Sequence, residues 1–271
     1  MMRDLKSKLA KLVHFKKYLP IKVTLLVLLI GIKVQSGLAP FSFLQTKDPH
    51  FDKVVLLIQP KAAAASIVDE SLSPHSISTA GDSGLSTAVS DPWGGSRKVI
   101  SFDGTGDYIS APDSNDWNYG TGDFTIELWA YFPSVNTSSR YTLVNQREGG
   151  STFSSFSLNN LSNQGLDFWI ITSGATIIDG GHVADSSASS GSWHHIALVR
   201  SGTTFTTYLN GVSESSLVDA DSWPNNTGLL YIGGHSGGSY MNGYLGAIRI
   251  TKGFARYTSG FTRPSRTFPS H

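Results

Sequence analysis

The sequence predicts an all-β protein, an antiparallel two-sheet sandwich that follows a basic and hydrophobic N-terminal helix. Three observations carry that prediction. From Val54 onward, short runs of β-branched and aromatic residues are separated by clusters of Gly, Asn, Asp, Ser and Pro, and no long 3.6-residue period interrupts them. Charged residues make up only 15% of the chain while aromatics reach 11%, a balance that suits many short strands rather than a helical bundle. Without helices between the strands nothing can make a parallel crossover, so the strands pair antiparallel and stack. At 271 residues the chain can bury one large core, and one main domain is expected.

Charge is distributed unevenly. Residues 1–50 carry nine Lys/Arg against two Asp/Glu, and the remainder twelve against eighteen. The mildly acidic body has no basic cluster with which to neutralise phosphates, which argues against a nucleic-acid partner. The absence of Cys excludes disulfides, thiolate metal sites and cysteine nucleophiles together.

Leu5, Leu9, Leu12 and Val13 fall on one helical face, with Lys6, Lys8, Lys11 and Lys17 mostly elsewhere, until Pro20 interrupts. The apolar run Val23–Ile32 follows, bracketed by Lys22 and Lys33; as a helix it spans about 15 Å of a hydrocarbon layer about 30 Å thick. Residues 1–36 therefore read as an anchor segment, long enough to span if the flanking lysines snorkel. The competing readings are a signal peptide cleaved after Val34-Gln35-Ser36 and a helix docked on a partner protein. Residues 37–50, with Pro40 and Pro49, are expected as a linker, and 51–271 as the sandwich with a C-terminal tail. An anchored chain would sit on a membrane or virion with its sandwich on the outer side; a cleaved one would be secreted.

In the body, Val54–Ile58 is a continuous apolar run of strand length. Phe124-Thr125-Ile126-Glu127-Leu128-Trp129 alternates, setting Phe124, Ile126 and Leu128 on one face. Further strands are expected at Leu166–Ile171, His194–Arg200, Phe205–Leu209, Leu229–Ile232 and Tyr244–Thr251. Asn210-Gly211 directly after a strand predicts a two-residue hairpin, because both positions accept positive φ.

Six ordered blocks carry a family resemblance. They are Phe102-Asp103-Gly104-Thr105-Gly106-Asp107-Tyr108-Ile109, Phe124 to Trp129, Trp193-His194-His195-Ile196-Ala197-Leu198-Val199-Arg200, Tyr208-Leu209-Asn210-Gly211, Leu230-Tyr231-Ile232-Gly233 and Asn242 to Ile250. In order and spacing they resemble the laminin-G-like, concanavalin-A-like lectin and glucanase domains over roughly residues 51–265. The resemblance implies a jelly roll of two curved sheets with its first and last strands adjacent. The ending Ile250-Thr251-Lys252-Gly253-Phe254-Ala255-Arg256-Tyr257-Thr258, then Phe261 and Pro264, looks like that of members from phages and other viruses. Relatives that bind calcium carry acids where this chain has Gln59-Pro60 and Gly246-Ala247. No cofactor is therefore expected, with Asp103 and Asp107, or Asp113 and Asp116, left as partial calcium candidates.

The residues offer little for catalysis. Glycoside hydrolysis needs two carboxylates facing each other across the bond, yet Glu127 has no second acid at i+2 or i+4, and Glu70, Glu148 and Glu214 are expected in loops. Gly234-His235-Ser236-Gly237-Gly238 matches a nucleophile elbow, but no Asp or Glu follows Asp221 to supply the acid, so it reads as a rim loop. His194 and His195 are neighbours on a strand, face opposite ways and cannot chelate one metal together; one is expected in the core and one in solvent.

Recognition needs only rings to stack on a sugar's apolar face and polar groups to bond its hydroxyls. The candidate ligand-binding residues are Trp117, Tyr119, Trp223, His235 and Tyr240, each with core packing as its plainer role. The expected function is a non-catalytic, lectin-like module for a glycan or glycoprotein. The alternative is a structural virion protein packed against capsid or tail subunits, and a glycoside hydrolase comes third.

Overall fold

The computed structural model describes residues 47–134, 140–149, 152–159, 165–172, 175–179 and 188–270. The expected N-terminal helix, the anchor or signal segment and most of the linker lie outside the described residues. Among the described residues no helix is long and apolar enough to cross a membrane.

The fold is the expected sandwich of two antiparallel sheets. Sheet A runs β13 (Val212–Val218), β12 (Thr204–Leu209), β11 (Trp193–Ser201), β6 (Phe124–Tyr131), β15 (Asn242–Lys252), β4 (Val99–Asp103) and β3 (Gly84–Ser86). β1 (Val54–Ile58) pairs with the C-terminal half of β15, so the first and last strands are neighbours. Sheet B runs β10 (Ala175–Asp179), β9 (Gly165–Thr172), β8 (Thr152–Asn159), β7 (Arg140–Gly149), β14 (Leu229–Ile232), β5 (Tyr108–Ala111) and β2 (Ser78–Ala80).

Alternation decides which side chains fill the space between the sheets. Phe124, Ile126, Leu128 and Ala130 of β6 are buried with Val144, Phe156, Phe168, Ile170, Leu230 and Ile232 of sheet B. Each large apolar side chain withdrawn from water contributes about 1.5–3 kcal/mol before the entropy of ordering it is counted. The hairpin at Asn210-Gly211 has φ of 52° and 85° at the two turn residues, as the residue types require. In β15 the register against β6 slips between Leu245 and Ile248. There Gly246 leaves room for Pro92, whose Cγ would stand 2.6 Å from an added Cβ. Two of the glutamates expected in loops lie on strands instead, Glu148 on β7 and Glu214 on β13.

Sheet A carries a third layer. Its outer face presents Thr125, Glu127 and Trp129 of β6, His195 of β11, Tyr208 of β12 and Arg249 of β15, and the chain after β15 lies across them. Tyr257 and Phe261 stack at 3.6 Å and pack with Tyr208. Phe268 is buried with Phe51, Val54, Leu57, Trp129 and Ala247. His195, one of the pair expected to be split between core and solvent, is therefore fully buried, and so is His194, whose Nε2 donates to Ser189 O at 2.9 Å. The packed body also reaches back into the expected linker, because Asp48 is buried against Arg249 and Arg256.

Candidate functional site

Three of the five rings and side chains picked from the sequence turn out to be packing. Trp117 and Trp223 are buried, Trp117 with its Nε1–H donating to Pro112 O at 3.0 Å. Tyr119 stacks on Phe124 at 4.4 Å and meets Trp223 edge-on at 5.6 Å; burial, and behind it Asp116, pushes its phenol pKa up. Together they plug one end of the core, so none presents a ring face to a ligand. Apolar area outweighs display here, as it commonly does for Trp and Tyr at sandwich ends.

His235 and Tyr240 lie together on the loop after β14. His235 sits in a tight turn with Gly238, and Gly237 N donates to its Nδ1 at 2.9 Å, which places the imidazole proton on Nε2. Burial, then the charge of Arg147, lowers its pKa and keeps the ring neutral. Gly234 has no room for a side chain, since a Cβ would approach Asp107 O to 2.6 Å and the Tyr240 ring to 2.9 Å. The motif that resembles a nucleophile elbow is thus a turn, and Ser236 Oγ accepts from Tyr231 OH at 3.3 Å.

That contact leads to the outer face of sheet B. Leu230, Val144, Phe156 and Phe168 point inward, so the residues between them point out. Tyr231 pairs with Asn145, Asn145 with Ser155, and Ser155 with Trp169; one step along, Arg147 pairs with Phe153 and Phe153 with Ile171. Two arginines lie over rings on this face. The Arg140 guanidinium is 3.6 Å from the Trp169 ring centre and the Arg147 guanidinium 5.0 Å from that of Phe153, all four residues half-buried. Tyr108 meets Tyr231 edge-on at 5.2 Å. Asn145 is 1% exposed, and its Oδ1 accepts no hydrogen bond. Burial lowers the pKa of Arg140, opposed by Asp167 at 3.9 Å. Sequence reasoning missed these residues, although the alternation in Leu166–Ile171 already sets Trp169 opposite Phe168.

Glu127 is the acid best placed on a strand, and it is spent. Its Oε1 lies 2.7 Å from Nη2 of Arg249, and its Oε2 accepts from His195 Nε2 at 3.0 Å and from Tyr257 OH at 2.8 Å. Burial alone would raise its pKa, but Arg249, the His195 hydrogen bond and Arg256 pull it down to about 2. Asp48 likewise titrates below the ordinary range; burial opposes this, and Arg256 and Arg249 outweigh it.

Of the calcium candidates, Asp113 accepts from Gln146 Nε2 at 3.1 Å and Asp116 faces His75 Nε2 at 3.2 Å, so that pair is engaged elsewhere. Asp103 and Asp107 do converge, joined by Asp82, with carboxylate oxygens within 4.8 Å of one another. Asp107 spends both its oxygens on the backbone N–H groups of Asp82 and Asp103, each at 2.8 Å, and burial raises its pKa. Asp103 Oδ1 also accepts from Thr105 N at 2.6 Å, so the trio offers few of the six to eight oxygens calcium takes, and Asp107 instead ties the β2–β3 turn to the β4–β5 turn.

Solved structures with the same fold include a domain of an arabinanase and the binding domains of two toxins. Domain 4 of AbnA, an extracellular GH43 arabinanase of Geobacillus stearothermophilus solved in complex with arabinotriose, aligns at a TM-score of 0.58 and 16% identity, covering 75% of this chain and 94% of that one. The binding domain of Paraclostridial Mosquitocidal Protein 1 aligns at 0.53 and 18%, over 78% of this chain and 50% of that one. The receptor binding domain of botulinum neurotoxin D aligns at 0.53 and 16%, over 76% and 50%. The chain thus spans about half the length of the two toxin domains. No curated protein matches it. The family model of the concanavalin A-like lectin/glucanases superfamily matches residues 103–254, more than half of the sequence, and the six ordered blocks fall almost wholly inside that range. With two antiparallel sheets and its first and last strands adjacent, this chain belongs to the concanavalin A-like lectin/glucanases superfamily.

Proposed function

We propose that the protein is a non-catalytic recognition module that binds glycans or glycoproteins through the outer face of sheet B. One observation carries the reading. The outer face of sheet A is sealed by the chain's own tail, whereas that of sheet B keeps the Arg140–Trp169 and Arg147–Phe153 pairs half-exposed. A guanidinium held over an indole fixes the ring while offering donors at its edge, and a stacking ring beside such donors is what a sugar uses. His235, with its proton on Nε2, and the Tyr231 hydroxyl extend the same side. The arabinotriose complex of one relative and the receptor-binding role of the toxin domains support the same class of ligand.

The non-catalytic part of the reading rests on Glu127, which is fully buried, held by two arginines and ionised to about pH 2, and so cannot deliver a proton to a leaving group. The sandwich is read as displayed outward on a virion or cell surface, with residues 1–36 as its tether. A glycan array probed with the full chain tests the proposal. Binding lost in Trp169→Ala and Arg140→Ala supports it; no binding to any glycan or glycoprotein, or binding unchanged in both variants, overturns it.

A further inference from the structure

We propose that the stretch Lys47–Phe51 is a latch that holds the C-terminal tail down on sheet A, so that displacing the chain at residue 47 uncovers that face. Asp48 and Arg256 are 208 positions apart in sequence and meet at 2.7 Å, with a second contact at 3.2 Å. The same Asp48 carboxylate accepts from Arg249 Nη1 at 3.0 Å. His50 stacks on Phe254 at 3.7 Å, and Phe51 is buried in one cluster with Phe268. All of these contacts but the one to Arg249, which lies on β15, join the beginning of the sandwich to its tail.

The charges make Asp48 the controlling member. Two buried guanidiniums, those of Arg249 and Arg256, face two carboxylates, those of Asp48 and Glu127. Glu127 is already engaged at 2.7 Å by Arg249, and Arg256 Nε stands 3.9 Å from it. Withdrawing Asp48 leaves two cations on one anion in a buried place, and a charge left without its partner costs far more than the pair contributed. Arg256 is the group able to relieve this by moving out, because it belongs to the tail and Arg249 to the middle of a sheet. As Arg256 leaves it drops its own N–H···Oγ1 bond to Thr125 at 2.9 Å and loosens Tyr257 beside it. Beneath lie Trp129, His195 and Tyr208, now touched by Arg263, Phe261 and Tyr257. A pull or a binding event acting on the chain ahead of Asp48 is thereby converted into a newly exposed aromatic surface on the side opposite the glycan face.

Hydrogen exchange on the full chain tests the latch, read at the tail amides of Arg256 and Phe261 against those in β6. In Asp48→Asn the tail amides are expected to exchange about tenfold faster or more while β6 keeps its protection. Asp52→Asn, at an exposed residue paired with Lys53, should change neither. In the double variant with Arg256→Gln, the two effects should combine to less than their sum, because each removes the same pair. Tail exchange at the wild-type rate in Asp48→Asn overturns the proposal, as does equal acceleration in tail and β6. If Asp48→Asn fails to fold, His50→Ala, which removes only the stack on Phe254, is read by the same two criteria.

Discussion

Glu127 Oε1 lies 2.7 Å from Nη2 of Arg249, and neither side chain is more than 5% exposed. The pair sits on the face of sheet A that points away from the core, yet the tail makes that face interior. Removing one partner leaves the other as an uncompensated buried charge. Glu127→Ala is expected to cost about 3–5 kcal/mol in urea unfolding, far more than any exposed pair such as Lys53–Asp52.

The same carboxylate sets an acid limit on stability. Its folded-state pKa is about 2 against an ordinary 4.5, so its contribution is complete above about pH 4.5 and fades as pH falls towards 2. Asp48, also depressed, acts in the same direction. A loss on the order of 3 kcal/mol across that window is expected from Glu127 alone. Unfolding free energies measured at pH 7, 4 and 2 should show it, and a flat profile would contradict the ionised network.

The two tryptophans should separate stability from binding. Trp117→Ala opens a cavity at the end of the core and is expected to cost about 3–5 kcal/mol, seen as a lower urea midpoint. Trp169→Ala removes a half-buried ring and its contact with Arg140, at about 1 kcal/mol, and should abolish glycan binding.

At Gly228 the loop before β14 runs tight against β7. A Cβ there would stand 1.4 Å from the carbonyl oxygen of Arg147, which is backbone and cannot rotate away. Gly228→Ala is expected to lower stability by at least ~3 kcal/mol. Gly84→Ala, whose nearest neighbour is 3.8 Å away, should change it by about 0.5 kcal/mol or less in a thermal melt.

The strands that alternate cleanly were readable from the residues, as β6 shows, and so was the Asn210-Gly211 turn, because two positive-φ positions in a row leave few residue choices. β8 was not, since five of its eight residues are Ser, Thr or Asn, the composition of a loop, and it is ordered by pairing with β7 and β9. The tail misled in another way. It has no period, so nothing local signals that Tyr257, Phe261 and Phe268 lie across sheet A, and the pair His194 and His195, expected to be split between core and solvent, is buried at both positions. Of the five candidate ligand residues, Trp117, Tyr119 and Trp223 failed because the sequence does not distinguish a ring that caps a core from one that is displayed. His235 and Tyr240 lie on the loop after β14.

The pairing of β1 with β15 bears on synthesis as much as on shape. Val54 finds its ladder partner only at Thr251, and Phe51 its packing partner only at Phe268. Contacts of such long sequence separation close slowly, because the intervening chain must lose its freedom before they form. During translation the first strand therefore waits without its ladder partner until nearly the whole body has left the ribosome. A chain stalled or cut before β15 carries an open sheet edge and a bare aromatic face, the two features that most readily recruit another unfinished copy.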